Sequence, residues 1–449
     1  MTQSKTHDLA IINAVCLLPA NDGTLLRAQT SVAVTNGKIS AIGPRAHVGA
    51  AEIIDAKGLH LLPGIIDSQV HFREPGLTHK EDLESGTRGA VLGGVTCVFE
   101  MPNTKPSTTT LEHLNQKFQA AEGRVWSNVS FFIGATPDNA NELEELELHP
   151  NCCAIKIFMG SSTGSLLVEE ENNLRKILAK GRRRIAVHCE DEARLRERRK
   201  LVEGKNNPAL HHVWRDEETA LIATKRLVRL ARETSRPVHV LHVTTAEEMD
   251  FLKGAKDVAT VETTPQHLTL AAPECYERLG TLAQMNPPIR EARHREALWR
   301  AVNDGTVTVL GSDHAPHTLE EKAKPHPESP SGMTGVQTIL PLMLDHVNNG
   351  KLSLERLVEL LARNPARLYY AVGKGEIRVG FDADFTLVDM GRTEEIKREW
   401  IASKSGWSPF EGTKVKGWPV ATIVGGSVVM RDGQLLGRPI GRPVLFEQR

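Results

Sequence analysis

Four residues of types that bind divalent metals, His71, His188, His242 and Asp313, each end a short apolar run, and Lys156 ends a fifth. Imidazole nitrogen and carboxylate oxygen suit zinc where thiolates are absent, and a catalytic site must also leave a position open for water. A lysine at the end of an apolar strand is costly as an unpaired charge, so Lys156 needs either a buried carboxylate partner or a way to be neutral. A neutral amine can capture carbon dioxide, and the resulting carbamate can bridge two metal ions. Hydroxide held between two cations is a strong nucleophile at neutral pH. Asp313, beside it, could accept its proton and pass it to a leaving nitrogen. The chemistry that follows is hydrolysis at a carbonyl centre, or its reverse.

Such a set needs a scaffold that brings distant strand ends together. Eight apolar, β-branched runs alternate with segments of helical period: GIIDSQVHF, VTCVFEMPN, VSFFIGAT, AIKIFMG, IAVHCE, VHVLHVTT, ATVETTPQH and VTVLGSDH. Strand and helix alternating in this way imply parallel βαβ units, and eight of them are the mark of a (β/α)8 barrel. Catalytic groups of such barrels sit at the C-terminal strand ends, where Asn103 and His267 also fall. Before and after this region the texture changes to short alternating strands with hairpin pairs Asn36-Gly37 and Asp432-Gly433. Neither end has enough strands to bury a face alone. Residues 1–62 and 375–449 are therefore expected to form one small discontinuous β-sandwich domain around a barrel of residues 63–374.

Lys and Arg (55) nearly balance Asp and Glu (56) in this chain of 449 residues, so no nucleic-acid or membrane surface is expected. No stretch approaches the ~20 apolar residues of a spanning helix, and the first residues do not read as a signal peptide. The six cysteines form no CxxC pair and read as buried, reduced thiols of a cytoplasmic protein.

The stretches DSQVHFREPG (67–76), EMPNTKPST (100–108), IKIFMGSSTG (155–164), VHCED (187–191), LHVTT (241–245), MNPPIR (285–290) and GSDHAPH (311–317) together resemble the dihydroorotases of the amidohydrolase superfamily. The resemblance spans nearly the entire chain. It implies zinc-dependent, reversible cyclisation of N-carbamoyl-L-aspartate to L-dihydroorotate, with one or two Zn2+ per chain and a carboxylated Lys156 as bridge. It further implies that Arg73, Asn103 and His317 hold the substrate carboxylate and that Asn286 reads the pyrimidine ring. A planar guanidinium two residues from His71, on the same face of an extended segment, suits that task. The chain departs from the family at Gln69, where most members have the first His of HxH; a neutral oxygen donor should weaken or reshape the more exposed metal position. The loops 314–337 and SSTGSLLVEEE (161–171) are candidate covers for the site. The expected partner is a small molecule; a homo-oligomer, such as a dimer, is expected as well, and association with aspartate transcarbamoylase is open. Two alternatives also stay open. One is another cyclic amidohydrolase, a hydantoinase or allantoinase, against which Arg73 with Asn103 speaks because those substrates lack the ring carboxylate. The other is a catalytically silent scaffold subunit.

Overall fold

A computed structural model describes residues 7–160 and 166–448. Eight parallel strands form one sheet in chain order: β6 (Ile65–Val70), β7 (Val95–Glu100), β8 (Asn128–Gly134), β9 (Cys152–Phe158), β10 (Ile185–His188), β11 (Val238–Val240), β12 (Ala259–Thr263) and β13 (Val309–Leu310). Every residue of β6 to β9 is buried, which is why these strands read as near-continuous apolar runs: helices cover the outer face and side chains fill the interior. The sheet closes on itself through a parallel bridge between Val70 and His314. There the His71 N–H donates to the His314 carbonyl at 2.7 Å, and the Ser312 N–H donates to Asp67 Oδ1 at 3.0 Å. The outer helices begin where side chains can take up their unpaired N–H groups: Asp82 accepts from Ser85, Asp191 from Arg194, Asp216 from Thr219 and Thr245 from Glu248.

Both chain ends contribute to a second sheet of nine strands. Its N-terminal members are β1 (His7–Pro19), β2 (Leu25–Thr35), β3 (Lys38–Ile42), β4 (Ala50–Asp55) and β5 (His60–Pro63); the C-terminal ones are β14 (Phe385–Glu395), β15 (Lys414–Val424), β16 (Ser427–Arg431) and β17 (Gln434–Leu435). β14 pairs antiparallel with β5 and joins the two halves. The long β1 pairs with β4 over its first half and with β5 near Cys16, so the sheet branches and folds over. The core inside it draws on both ends, with Leu9, Ile11, Val32 and Leu61 against Phe385, Leu387 and Ile423. Asn36 and Gly37 (φ 51° and 73°) and Asp432 and Gly433 (φ 48° and 77°) form the two hairpin turns expected of those pairs.

Three strand ends differ from the sequence reading. β13 has only two residues, so Asp313 lies in irregular chain beyond it. Lys156 lies within β9, two residues before its end. His267 is not on a strand at all but in the short helix Pro265–Thr269, because Thr264 followed by Pro265 is a capping residue followed by the first helical position.

The last residues return to the barrel. Pro443 bridges to Val129, and Phe446, 4% exposed, sets its ring edge-on to Phe99 at 5.5 Å. Phe446→Ala should therefore destabilise the protein by about 3 kcal/mol, read as a lower urea midpoint.

Candidate active site

At the C-terminal end of the barrel lies a cavity of about 300 Å³. Gln69, His71, Lys156, His188, His242 and Asp313 line its floor, and Arg73, Asn103, Asn286 and His317 line its wall. Every site residue expected from the sequence thus faces one space. His267 does not: its Nδ1 meets Thr264 Oγ1 at 2.8 Å and its Nε2 the Pro287 carbonyl at 3.0 Å, so it anchors the segment that carries Asn286.

The floor holds two groups of facing donor atoms. In the first, His188 Nδ1 lies 3.1 Å from His242 Nε2. His188 Nε2 lies 2.8 Å from Glu190 Oε2. A carboxylate can only accept, so the proton of His188 is on Nε2 and its Nδ1 lone pair faces inward. In the second group, Asp313 Oδ1 lies 3.1 Å from His71 Nε2 and accepts from Gln69 Nε2 at 3.1 Å, while Gln69 Oε1 is buried without a hydrogen-bond partner. His71 Nδ1 reaches Asn103 Oδ1 at 2.6 Å. Burial lowers the pKa of His71 and His188, and lowers that of His242 well below the ordinary imidazole value, which favours the neutral form of all three rings.

Lys156 is 1% exposed, and its Nζ has no hydrogen-bond partner and no carboxylate in salt-bridge range among the described residues. Its Nζ sits over the ring of Phe158, 4.4 Å from the ring centre. Burial pulls its pKa down to about 7, against the opposing pull of Asp313 and Glu262. The buried ion pair that would have made it a structural lysine is missing, and the amine is substantially neutral near pH 7. Neutral imidazoles, a carboxylate and an orphaned amide oxygen around such an amine form a donor set that fits divalent metal. A separate cluster of Glu217, Glu291 and His294 brings three possible ligand atoms together, but it lies away from the cavity and is tied up with Arg293 and the Ala246 N–H.

In the wall, the Arg73 side chain is buried, and no carboxylate lies in salt-bridge range among the described residues. Its Nε donates to the Pro316 carbonyl at 3.2 Å, and Nη2 lies 3.3 Å from His317 Nε2. Lys80 Nζ donates to His317 Nδ1 at 3.1 Å, so that ring carries its proton on Nε2, which donates to the Ser331 carbonyl at 3.2 Å. Asn286 Oδ1 accepts from His211 Nε2 at 3.0 Å. Arg73, His242 and Asp313 have positive φ (65°, 36° and 46°), a region that costs a non-glycine residue about 1 kcal/mol and recurs at functional sites.

Of the two candidate covers, part of 161–171 falls on residues 161–165, outside the described residues. The other is more ordered than its composition suggests. It contains a helix, Leu319–Lys322, opened by a Thr318/Glu321 capping box, and Pro327–Gly332 form one side of the cavity.

Residues 60–429 match the amidohydrolase family. The chain belongs to that family. A dihydroorotase of Methanothermobacter thermautotrophicus is 34% identical to this amidohydrolase, with 90% of this chain and 92% of that one covered. A dihydroorotase of Pyrococcus abyssi is 35% identical, covering 93% and 95%. Among solved structures, the L-hydantoinase (dihydropyrimidinase) of Arthrobacter aurescens superposes with a TM-score of 0.92 at 29% identity, over 98% of this chain and all of that one. The amidohydrolase is thus a hydrolase of the cyclic-amide type built on the (β/α)8 barrel with its terminal β-sandwich. No helix among the described residues is long and apolar enough to cross a membrane.

Sequence reasoning missed Glu190 and Arg215. Arg215 clasps Glu190 through two hydrogen bonds, of 2.9 and 2.5 Å, and both side chains are buried. Burial favours a neutral carboxyl, but Arg215 and His188 outweigh it and hold the Glu190 pKa far below the usual range. The only sequence signal was Glu190 standing two residues after His188. Glu190→Gln, which leaves Arg215 buried opposite a neutral group, should destabilise the fold by about 3 kcal/mol in denaturant titration.

Proposed function

We propose that this amidohydrolase is a dihydroorotase, interconverting N-carbamoyl-L-aspartate and L-dihydroorotate in pyrimidine (UMP) biosynthesis. The observation that carries the reading is Arg73: a buried guanidinium in the cavity wall with no carboxylate in salt-bridge range among the described residues. A buried cation of this kind calls for an anion from the ligand, and the planar fork suits a carboxylate. Dihydroorotate has one; hydantoins and dihydropyrimidines need none. His317, held between Lys80 and the Ser331 carbonyl beside Arg73, and the side chain of Asn103 complete the carboxylate site in this proposal, and Asn286 addresses the ring.

His71, His188, His242 and Asp313 would hold Zn2+, one or two ions per chain, with Gln69 Oε1 a weaker donor to the second. Lys156 would be carboxylated: its neutral Nζ forms a bond to the carbon of CO2 and loses one proton, leaving a carbamate anion where a bare ammonium would be costly. When bound, zinc supplies Lewis acidity, lowering the pKa of water and polarising a carbonyl. Asp313 Oδ1 accepts a proton from the attacking oxygen and returns it to the leaving ring nitrogen; in cyclisation the same atom takes the proton from the ureido nitrogen. Arg73 and His317 hold the substrate by a group remote from the scissile bond and so orient it over Asp313. Six buried, free thiols suit a reducing, cytoplasmic setting. Homo-oligomerisation and association with aspartate transcarbamoylase belong to the same proposal, as does the division into a barrel of 63–374 and a sandwich from 1–62 and 375–449.

The high structural similarity to an L-hydantoinase favours a second reading, hydrolysis of a cyclic amide without a carboxylate. Assays with dihydroorotate, hydantoin and dihydrouracil separate the two. Dihydroorotate should be turned over, and Arg73→Met should lower kcat/KM for it by about 100-fold; turnover of hydantoin or dihydrouracil alone rejects the dihydroorotase reading. Metal analysis tests the floor. Wild-type protein should hold one to two zinc ions per chain, Lys156→Ala should lose metal together with activity, and Gln69→His should raise the occupancy of the second position. Less than one zinc in the wild type, or full activity of Lys156→Ala, rejects the proposed metal site.

A further inference from the structure

Lys322 is a second lysine that is 1% exposed, and none of the chemistry above uses it. Its Nζ donates to three main-chain carbonyls, Gln284 at 3.0 Å, Pro330 at 2.9 Å and Gly332 at 3.2 Å. An ammonium has three N–H bonds, and here each has its own acceptor. No carboxylate comes within salt-bridge range among the described residues, and burial pulls the Lys322 pKa down to about 7 as it does that of Lys156. The difference is geometric, since three carbonyl acceptors around Nζ favour the protonated amine and Lys156 has none. The backbone carbonyl of Lys322 in turn accepts from Thr281 Oγ1 at 2.5 Å and Ser329 Oγ at 3.0 Å, and its ammonium lies 5.8 Å from the Trp407 ring centre. Two of the three carbonyls belong to the 327–332 loop that walls the cavity, and the third belongs to the barrel segment just before Asn286.

The loop is tied to the substrate-facing groups at a further point. Ser331 lies between the two stapled residues, and its carbonyl takes the Nε2–H of His317, which itself lies 3.3 Å from Arg73 Nη2. Gly332, at φ +149°, packs so tightly that a Cβ there would come within 2.3 Å of the Ala315 carbonyl. Lys322 does not line the cavity.

We infer that Lys322 is a positioning residue: its ammonium staples the 327–332 loop to Gln284, setting the cavity wall and the direction of His317, so substrate affinity depends on a side chain that does not touch substrate. The inference rests on the proposed function for its kinetic readout and on geometry alone for its structural one. Lys322→Met keeps the length and apolar stem but removes three donors and the charge. With dihydroorotate, KM should rise by about tenfold or more, with kcat within about threefold of wild type. Cleavage after Glu328 by glutamyl endopeptidase should accelerate by a similar factor in the intact protein at a temperature where wild type and variant are both folded by circular dichroism.

An unchanged KM, or a loss confined to kcat, overturns the inference. If Lys322→Met does not fold, Thr281→Val, which removes one anchor of the Lys322 backbone outside the cavity, decides. A KM raised about threefold at constant kcat upholds the staple, and an unchanged KM overturns it. Should the wild type turn over no dihydroorotate, the functional reading fails. The staple is then judged by proteolysis alone, upheld by faster cleavage after Glu328 and overturned by an unchanged rate.

Discussion

The hydrogen bond from the His71 N–H to the His314 carbonyl, 2.7 Å long, closes the barrel between its first and last strands. Residues more than 240 positions apart in the chain meet there: Gln69 and His71 leave β6 on one side of the seam, and Asp313 leaves β13 on the other. β13 contributes only two paired residues, so the seam is carried by the chain beyond the strands, with Asp67 Oδ1 receiving the Ser312 N–H on the inner side. That irregular stretch is also where Asp313 takes its positive φ. A regular eighth strand would alternate Ser312, Asp313 and His314 across the sheet. The departure instead turns Asp313 into the cavity and leaves His314 to pair its backbone with Val70.

Once the seam is closed, burial sets the chemistry of the groups it gathers. An interior that excludes water disfavours every charged form, and the floor of the cavity has three responses to that cost. The histidines are pushed toward their neutral form, the one whose nitrogen lone pairs can hold a metal. Lys156 moves toward neutrality for want of a partner, the state in which an amine is nucleophilic. Glu190 keeps its charge because Arg215 grips both of its oxygens, and that charge fixes which nitrogen of His188 is free. The wall follows the opposite rule. A guanidinium stays protonated even where burial lowers its pKa to about 10, so Arg73 remains a cation facing the cavity, and Asp313, Glu321 and Glu81 act on it only from beyond salt-bridge range.

Much of this was legible in the sequence, for identifiable reasons. Parallel strands covered on both faces must be apolar throughout, so the eight barrel runs and the polar residues that end them are visible without alignment. Asn-Gly and Asp-Gly announce hairpins because they tolerate positive φ. The reading failed where a local signal outweighed the periodic one, as at Thr264-Pro265, where helix capping turns what looked like a strand end into a helix. It was also blind to contacts without a side-chain partner in sequence. Arg215 finds Glu190 from 25 residues away, and Lys322 is satisfied by carbonyls, which every residue possesses. Positive φ at Arg73, His242 and Asp313 leaves no mark on residue type, since none of them is glycine.

The two kinds of resemblance, to dihydroorotases in sequence and to a hydantoinase in three dimensions, do not conflict, because they report on different parts of the site. Opening a cyclic amide asks the same of any barrel: donor atoms for metal on the floor and a carboxylate to carry a proton between oxygen and nitrogen. Backbone superposition measures that shared requirement, and it is insensitive to which side chain stands at one position of a βα loop. Substrate choice rests with the wall, where one guanidinium decides whether a carboxylate is welcomed or merely tolerated. A wall that held a hydantoin would not need Arg73 and would leave it, buried and unneutralised, at a cost that its neighbours Pro316 and His317 do not offset. In the proposed function, it is this cation that ties the specificity of the cavity to a substrate carboxylate.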